Sequence, residues 1–427
     1  MSMTEIEQIY QDVFHVDSDA VALVTALEQA LKSRFQALEE IRSFNQYKVL
    51  AAFQKNHLAQ ADFFSATGYG YGDGGREKTE AIFRDVFRAE DCIVRPSISS
   101  GTHALATILF ALLDRGDRLL AATGHPYDTL QEVIGIRGRA VGTLQEKGVI
   151  YEAVPLCENG AIDYEALGEA LQKPVRLVEL QRSTGYSQRR AFTIEELAQA
   201  IRFIKERQPE AVVMVDNCYG EFTEKKEPIE VGADVIAGSL IKNPGGGIAL
   251  SGGYIAGKKE WIERCMNHLT APGLGRDTGL TYGTTRSTLQ GFFLAPHITI
   301  EALKGALLFC AAYEKRGHRC YPSLTDPRSD IIQAIVLEDP DHLVHFVRAI
   351  QKAASVGSDV VPYPWAMPGY SDQVIMASGG FIDGSSIEVS ADGPMRPPYL
   401  VYYQGGLVYE QAKLACLLSL SKITKQS

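Results

Sequence analysis

Residues 211–257 read AVVMVDNCYGEFTEKKEPIEVGADVIAGSLIKNPGGGIALSGGYIAG, and few architectures can hold such a stretch. Val212-Val213-Met214-Val215 is an apolar, mostly β-branched run, the pattern of a strand buried on both faces. It closes on Asp216, where solvation alone requires no acid. A second apolar run, residues 234–241, closes on Lys242. The glycine-rich turn 243–247 follows, and then a third strand-like run at 252–257. An acid and a lysine at the mouths of buried strands suit pyridoxal phosphate. That cofactor needs an amine for a Schiff base and an acid that keeps its ring nitrogen protonated.

Upstream, residues 4–57 read as helix. Asp17, Ser18 and Asp19 offer N-caps, and Val21, Val24, Leu27, Leu31, Phe35 and Leu38 hold a three-to-four spacing. Such a stripe packs on a core or on a partner subunit. The loop 67–76, TGYGYGDGGR, is too rich in glycine for helix or strand and offers Tyr69, Tyr71 and Arg76 to a phosphate or substrate. Next come a helix (77–87), a strand (92–95) and Ser100-Gly101-Thr102 at the start of an apolar helix. Free N–H groups point outward there, and glycine lets an anion approach. Further strands read at 117–122 and 176–180, and the second empties into Gln181-Arg182-Ser183-Thr184-Gly185-Tyr186. Alternating strand and helix, with chemical residues at strand C-termini, indicates a doubly wound α/β domain. At 427 residues the chain suits a large domain and a smaller one.

Asp216-Asn217-Cys218-Tyr219-Gly220 and Ser239-Leu240-Ile241-Lys242 resemble the Asp-Asn-Thr and Ser-x-x-Lys elements of fold-type I pyridoxal-phosphate enzymes. Within these the chain is most similar to the cystathionine lyase/methionine γ-lyase group, and to its divergent aluminium-resistance branch. The resemblance runs from about residue 64 to the C-terminus. It implies a mostly parallel, doubly wound sheet in a large domain (64–290), after a helical arm (1–63) and before a smaller α+β domain (291–427). It also implies Lys242 on the cofactor, Asp216 at the ring nitrogen and Ser100, Gly101, Thr102 and Ser239 around the phosphate. Tyr127 fits the stacking position, with His125 as its rival. In the family a Tyr-x-Arg loop crosses to the neighbouring subunit, which implies a homodimer or homotetramer with shared sites. The wider Tyr71–Arg76 spacing leaves open which tyrosine corresponds. Arg396, held between a turn and prolines, matches a carboxylate-binding arginine of the C-terminal domain. The family's Glu-x-Pro-x-Asn pattern is missing, so Arg182 and Ser183 are the candidates for the cofactor's phenolic oxygen.

The implied reaction is β- or γ-elimination from a sulfur amino acid such as cystathionine, methionine or cysteine. Transamination, decarboxylation and a non-catalytic pyridoxal-phosphate binder stand as alternatives. A dehydrogenase using the 245–247 glycines as a nucleotide loop lacks the G-x-G-x-x-G pattern. The net charge of −10 argues against nucleic acid and anionic membranes. Seven cysteines without a C-x-x-C pair, an acidic N-terminus and no unbroken apolar run of membrane length fit a reducing cytoplasm. Cys218 beside the acid reads as a buried thiol in preference to a nucleophile. The irregular segment 270–286 reads as a mobile piece near the site or as a surface loop.

Overall fold

The computed structural model describes residues 4–185, 187–366 and 372–421, so Tyr186 lies outside the described residues. The apolar runs become a seven-stranded mixed sheet. Its strands are β1 (Asp91–Arg95), β2 (Arg118–Ala121), β3 (Ile150–Ala153), β4 (Leu177–Gln181), β5 (Val212–Asp216), β6 (Val235–Ser239) and β7 (Gly253–Gly257). Their order is β1-β7-β6-β5-β4-β2-β3, parallel from β3 through β6, with β7 antiparallel to both of its neighbours.

Both faces are covered, as the unbroken hydrophobicity of β5 requires. Met214, Val212 and Ala237 pack under helices Gly101–Leu112 and Lys259–Leu269. Val213, Val215 and Ile236 pack against helices Gly74–Phe87 and Ile194–Arg207 on the opposite face. Alternate residues of one strand therefore feed two separate cores.

A second, antiparallel sheet follows in sequence. It comprises β8 (Cys320–Tyr321), β9 (Ile332–Val336), β10 (Trp365–Ala366), β11 (Gln373–Ser378), β12 (Ser390–Pro394) and β13 (Leu400–Gln404), in the order β10-β11-β12-β13-β9-β8. Helix Thr285–Lys315 runs between the two sheets. It is long and apolar enough to cross a membrane by length and composition, and it is mostly buried inside the protein.

The N-terminal segment forms two helices, Glu5–Asp12 and Ser18–Lys55, and Asp17, one of the N-cap residues read from the sequence, holds the N-cap position of the second. Of the predicted stripe, Val21, Val24 and Leu31 enter the core beneath the second sheet, while Val49 and Ala52 enter a core of the first. One 38-residue helix thereby braces both halves of the chain.

Candidate active site

Strand β5 delivers Asp216 to the C-terminal edge of the first sheet, and the chain turns at once, with Cys218 N donating to Asp216 Oδ1 at 3.0 Å. Burial raises the Asp216 carboxyl above its ordinary range, and the Lys242 charge works the other way. Strand β6 delivers Lys242 three residues beyond its end. The turn that follows packs so tightly that a Cβ on Gly245 would meet the Leu240 carbonyl at 1.6 Å, while one on Gly291 would meet Gly245 O at 2.1 Å. Asn243 Nδ2 ties the same turn to the carbonyls of Tyr219 and Glu221, at 2.9 and 3.0 Å. The lysine therefore projects from a fixed support, and the glycines weighed as a nucleotide loop pack against Leu240, helix Thr285–Lys315 and Leu407.

Lys242 Nζ stands 3.8 Å from the centre of the Tyr219 ring. Burial disfavours its charge, but Cys218, Tyr219 and Asp216, in that order, act against burial and raise its pKa. Tyr219 itself has φ +70°, a backbone region that non-glycine residues avoid.

Asp216 and Lys242 line one cavity of about 150 Å³ together with Tyr127, Gln181, Ser183, Gly185, Cys218 and Tyr219. Its opposite wall comes from the second sheet: Ile332 of β9, Asp392 of β12, and Tyr402 and Gln404 of β13. Tyr127 N donates to Gln181 Oε1 (2.9 Å), and the Tyr127 hydroxyl meets Thr102 Oγ1 at 2.8 Å. That second contact joins the cavity to the start of helix Gly101–Leu112, where Ser100 caps His103 N. A Cβ on Gly101 would lie 3.1 Å from Cys218 Sγ and 3.5 Å from Ser239 Cβ, so the helix start sits directly on the ends of β5 and β6. An anion held there would meet first-turn N–H groups and the Ser239 hydroxyl. An acid, an amine, an aromatic ring and an anion cradle around one cavity fit pyridoxal phosphate.

Several expected residues stand elsewhere. His125 turns away from the cavity to stack on Tyr151, with Nδ1 3.0 Å from its hydroxyl, so of that pair Tyr127 is the one that lines the cavity. Arg182 is fully buried on the other side of β4, bonded to Asn217 Oδ1 (2.8 Å) and paired with Glu224 and Glu227. It braces the Asp216 turn from behind, and Ser183 alone of that pair lines the cavity. Arg76 is 2% exposed and donates to the carbonyls of Gly70, Gly279 and Asp277. Its guanidinium thus ties the glycine-rich loop to segment 277–279 instead of offering a free fork. That contact also anchors part of the 270–286 segment, which contributes no residue to the cavity. Tyr69 and Tyr71 are exposed, their rings 5.7 Å apart, and neither lines this chain's cavity. Arg396 is exposed, pairs with Asp372 at 2.9 Å and is not a lining residue.

Burial and the nearby Asp216 charge raise the Cys218 thiol well above its ordinary value, which keeps it neutral and unreactive as a nucleophile. Glu179 lies two residues before Gln181 on the same side of β4. It is fully buried, and burial followed by the Asp216 charge pushes it up to about 8. It therefore keeps its proton at neutral pH and adds no second negative charge beside Asp216. Gln181, Glu179 and the second-sheet wall are the contributors that the sequence reading missed. Period-two alternation in β4 was the available signal, because it puts residues 179, 181 and 183 on one side and Arg182 on the other.

Residues 20–424 match the model of a family described as methionine γ-lyase. An uncharacterized protein, YnbB, of Bacillus subtilis is 48% identical over 379 residues, covering 88% of this chain and 90% of that protein. A Clostridium novyi structure described as a carbon–sulfur lyase involved in aluminium resistance superposes with a TM-score of 0.95 at 44% identity, covering 99% of this chain and all of that one. A Listeria monocytogenes structure, described as a candidate cystathionine β-lyase involved in aluminium resistance, has a TM-score of 0.92 at 46% identity and covers 94% of this chain and all of that one.

Proposed function

The chain belongs to the methionine γ-lyase family, and we propose that it is a fold-type I, pyridoxal-phosphate-dependent carbon–sulfur lyase acting on a sulfur amino acid. The observation that carries this reading is the meeting of Asp216, Lys242 and Tyr127 in one cavity, beside the start of helix Gly101–Leu112. When bound, pyridoxal phosphate supplies an electron sink for the negative charge left when the substrate α-proton departs. Lys242 is the amine that would hold its aldehyde, and its Nζ is the base that takes the α-proton once substrate has freed it. Asp216 would hold a proton at the ring nitrogen, the Tyr127 ring would lie against the cofactor, and the amides of Gly101 and Thr102 with Ser239 would receive the phosphate. The wall of Ile332, Asp392, Tyr402 and Gln404 closes over the substrate side chain and limits its contact with water.

Product analysis tests the reaction. Incubation with cystathionine, methionine or cysteine should yield a 2-oxo acid, ammonia and a thiol or sulfide in equal amounts. A 2-oxo acid without ammonia or sulfur release would identify transamination, and release of carbon dioxide would identify decarboxylation. No turnover of any sulfur amino acid by cofactor-loaded protein would overturn the reading.

We also propose a dimer, or a tetramer of dimers, in which the exposed Tyr69–Tyr71 pair serves the neighbouring subunit's site. Two neighbouring aromatic rings on a loop pinned by Arg76 are suited to that reach. Mixing inactive Tyr69→Ala/Tyr71→Ala chains with inactive Lys242→Ala chains should restore about a quarter of wild-type activity, the share of intact sites that random pairing in a two-fold dimer gives. Hybrids that form and regain nothing would confine each site to one chain.

A further inference from the structure

We propose that Cys310, Glu314 and Cys320 bind one thiophilic divalent cation of the zinc class, which pins the end of helix Thr285–Lys315 to β8. Cys310 and Glu314 lie four residues apart near the helix end, so their side chains share a face. Cys320 opens β8 just after the turn. The two sulfurs and one carboxylate oxygen all lie within 4.8 Å of one another. Cys310 Sγ is 3.6 Å from Glu314 Oε1 and 3.4 Å from the Pro322 carbonyl oxygen. In a tetrahedral zinc site with Zn–S of about 2.3 Å and Zn–O of about 2.0 Å, sulfur and oxygen ligands stand about 3.5 Å apart. Cys310 Sγ and Glu314 Oε1 are therefore already at ligand spacing, with the Cys320 sulfur within 4.8 Å of both. Leu324 N donates to Glu314 Oε1 at 2.9 Å and fixes the carboxylate's orientation. Both cysteines are buried and Glu314 is partly exposed, which leaves a way in from solvent.

The charge beside the cluster points the same way independently. All three guanidinium nitrogens of Arg328 are buried without a hydrogen-bond partner among the described residues. The ionisable groups acting on it are Cys310, Arg34, Asp330 and Cys320. Arg34 adds positive charge, and Asp330 already accepts from Thr184 N (2.9 Å) and Ile332 N (3.1 Å). A buried cation without an acceptor is costly. A divalent ion held by two thiolates and one carboxylate carries a net charge of −1, the counter-charge that Arg328 lacks. Neutral thiols bonded to Glu314, Pro322 and the Cys310 carbonyl would satisfy the sulfurs but leave the arginine alone. None of the three ligands lines the Lys242 cavity, so this inference does not rest on the lyase reading.

The test is metal content. The cofactor-loaded protein, purified without chelator and dialysed against micromolar zinc chloride and then buffer, should retain about one zinc per chain by elemental analysis. Cys310→Ser and Cys320→Ser should each retain less than about a tenth of that. Cys157→Ser, at an exposed cysteine, should keep all of it. If the first two variants fail to fold, the wild type still decides. Chelator should lower its melting temperature by several degrees and expose two further thiols to alkylation, and added zinc should reverse both changes. Wild type that retains no zinc would mean hydrogen-bonded thiols only. Full zinc in the Cys310→Ser/Cys320→Ser double variant would place the metal elsewhere, and two thiols recovered only by reductant would mean a disulfide. Each of these three results overturns the proposal.

Discussion

Lys242→Ala protein will lack the yellow, borohydride-reducible absorption of the wild type and will turn over substrate at least about 1,000-fold more slowly. Two separate losses combine in that figure. Among the described residues the cavity's lining contains one lysine, so the variant loses the amine placed there to hold an aldehyde. It also loses the base that the reading assigns to the α-proton, a contribution worth about 100- to 10,000-fold by itself. The fold should survive, because the 243–247 turn is set by Gly245, Asn243 and Gly291 and not by the lysine side chain. Peptide mapping after borohydride treatment of wild-type protein should find the label on Lys242. A reducible label on a different lysine in the alanine variant, with an unchanged spectrum, would remove Lys242 from the anchor position.

Asp216 and Lys242 were legible in the sequence because they break a pattern. A charged group that closes a buried apolar run conflicts with simple binary patterning, and such conflicts gather at functional sites. The strand–helix alternation around them was equally plain, since parallel strands covered on both faces read as continuous apolar runs. The far wall of the cavity was not legible. Strand β12 reads Ser-Ala-Asp-Gly-Pro, whose Gly393 and Pro394 signal a turn, and only pairing with β11 and β13 makes it a strand. Asp392 therefore reaches the cavity through long-range register, which local pattern cannot reveal.

Arginine orientation was hidden for a related reason. Arg76 finds carbonyl partners on Asp277 and Gly279, about two hundred residues away in sequence, so its role depends on a tertiary contact. A guanidinium in a glycine-rich loop looks the same in sequence whether it faces a ligand or its own backbone. Helix Ser18–Lys55 gives the contrasting case. Its stripe was readable as a packing face, but a stripe does not say that one end will serve one sheet's core and the other end the second's.

Asp216→Asn should keep the cofactor and lose about 100- to 1,000-fold in elimination rate, the scale expected when one preorganised charge is removed from a reaction centre. Asparagine is nearly the same size, and its carbonyl can still accept from Cys218 N, so the turn and the cavity should persist. The negative charge is what disappears. In wild type, burial opposes that charge and Lys242 supports it, so the carboxylate is poised to gain strongly from a further positive neighbour such as a protonated ring nitrogen. On the proposed reading, the ring nitrogen would lose its proton more readily without that charge, and the electron sink would weaken as the α-proton leaves. The fall should therefore appear mainly in kcat, with little change in KM for substrate or in cofactor content. Exchange of the substrate α-hydrogen with deuterated water should slow in parallel, because it reports the proton-abstraction step directly. Full elimination and exchange rates in Asp216→Asn protein would show that the acid is structural, and would leave Glu179, the neighbouring buried carboxyl, as the group to examine next.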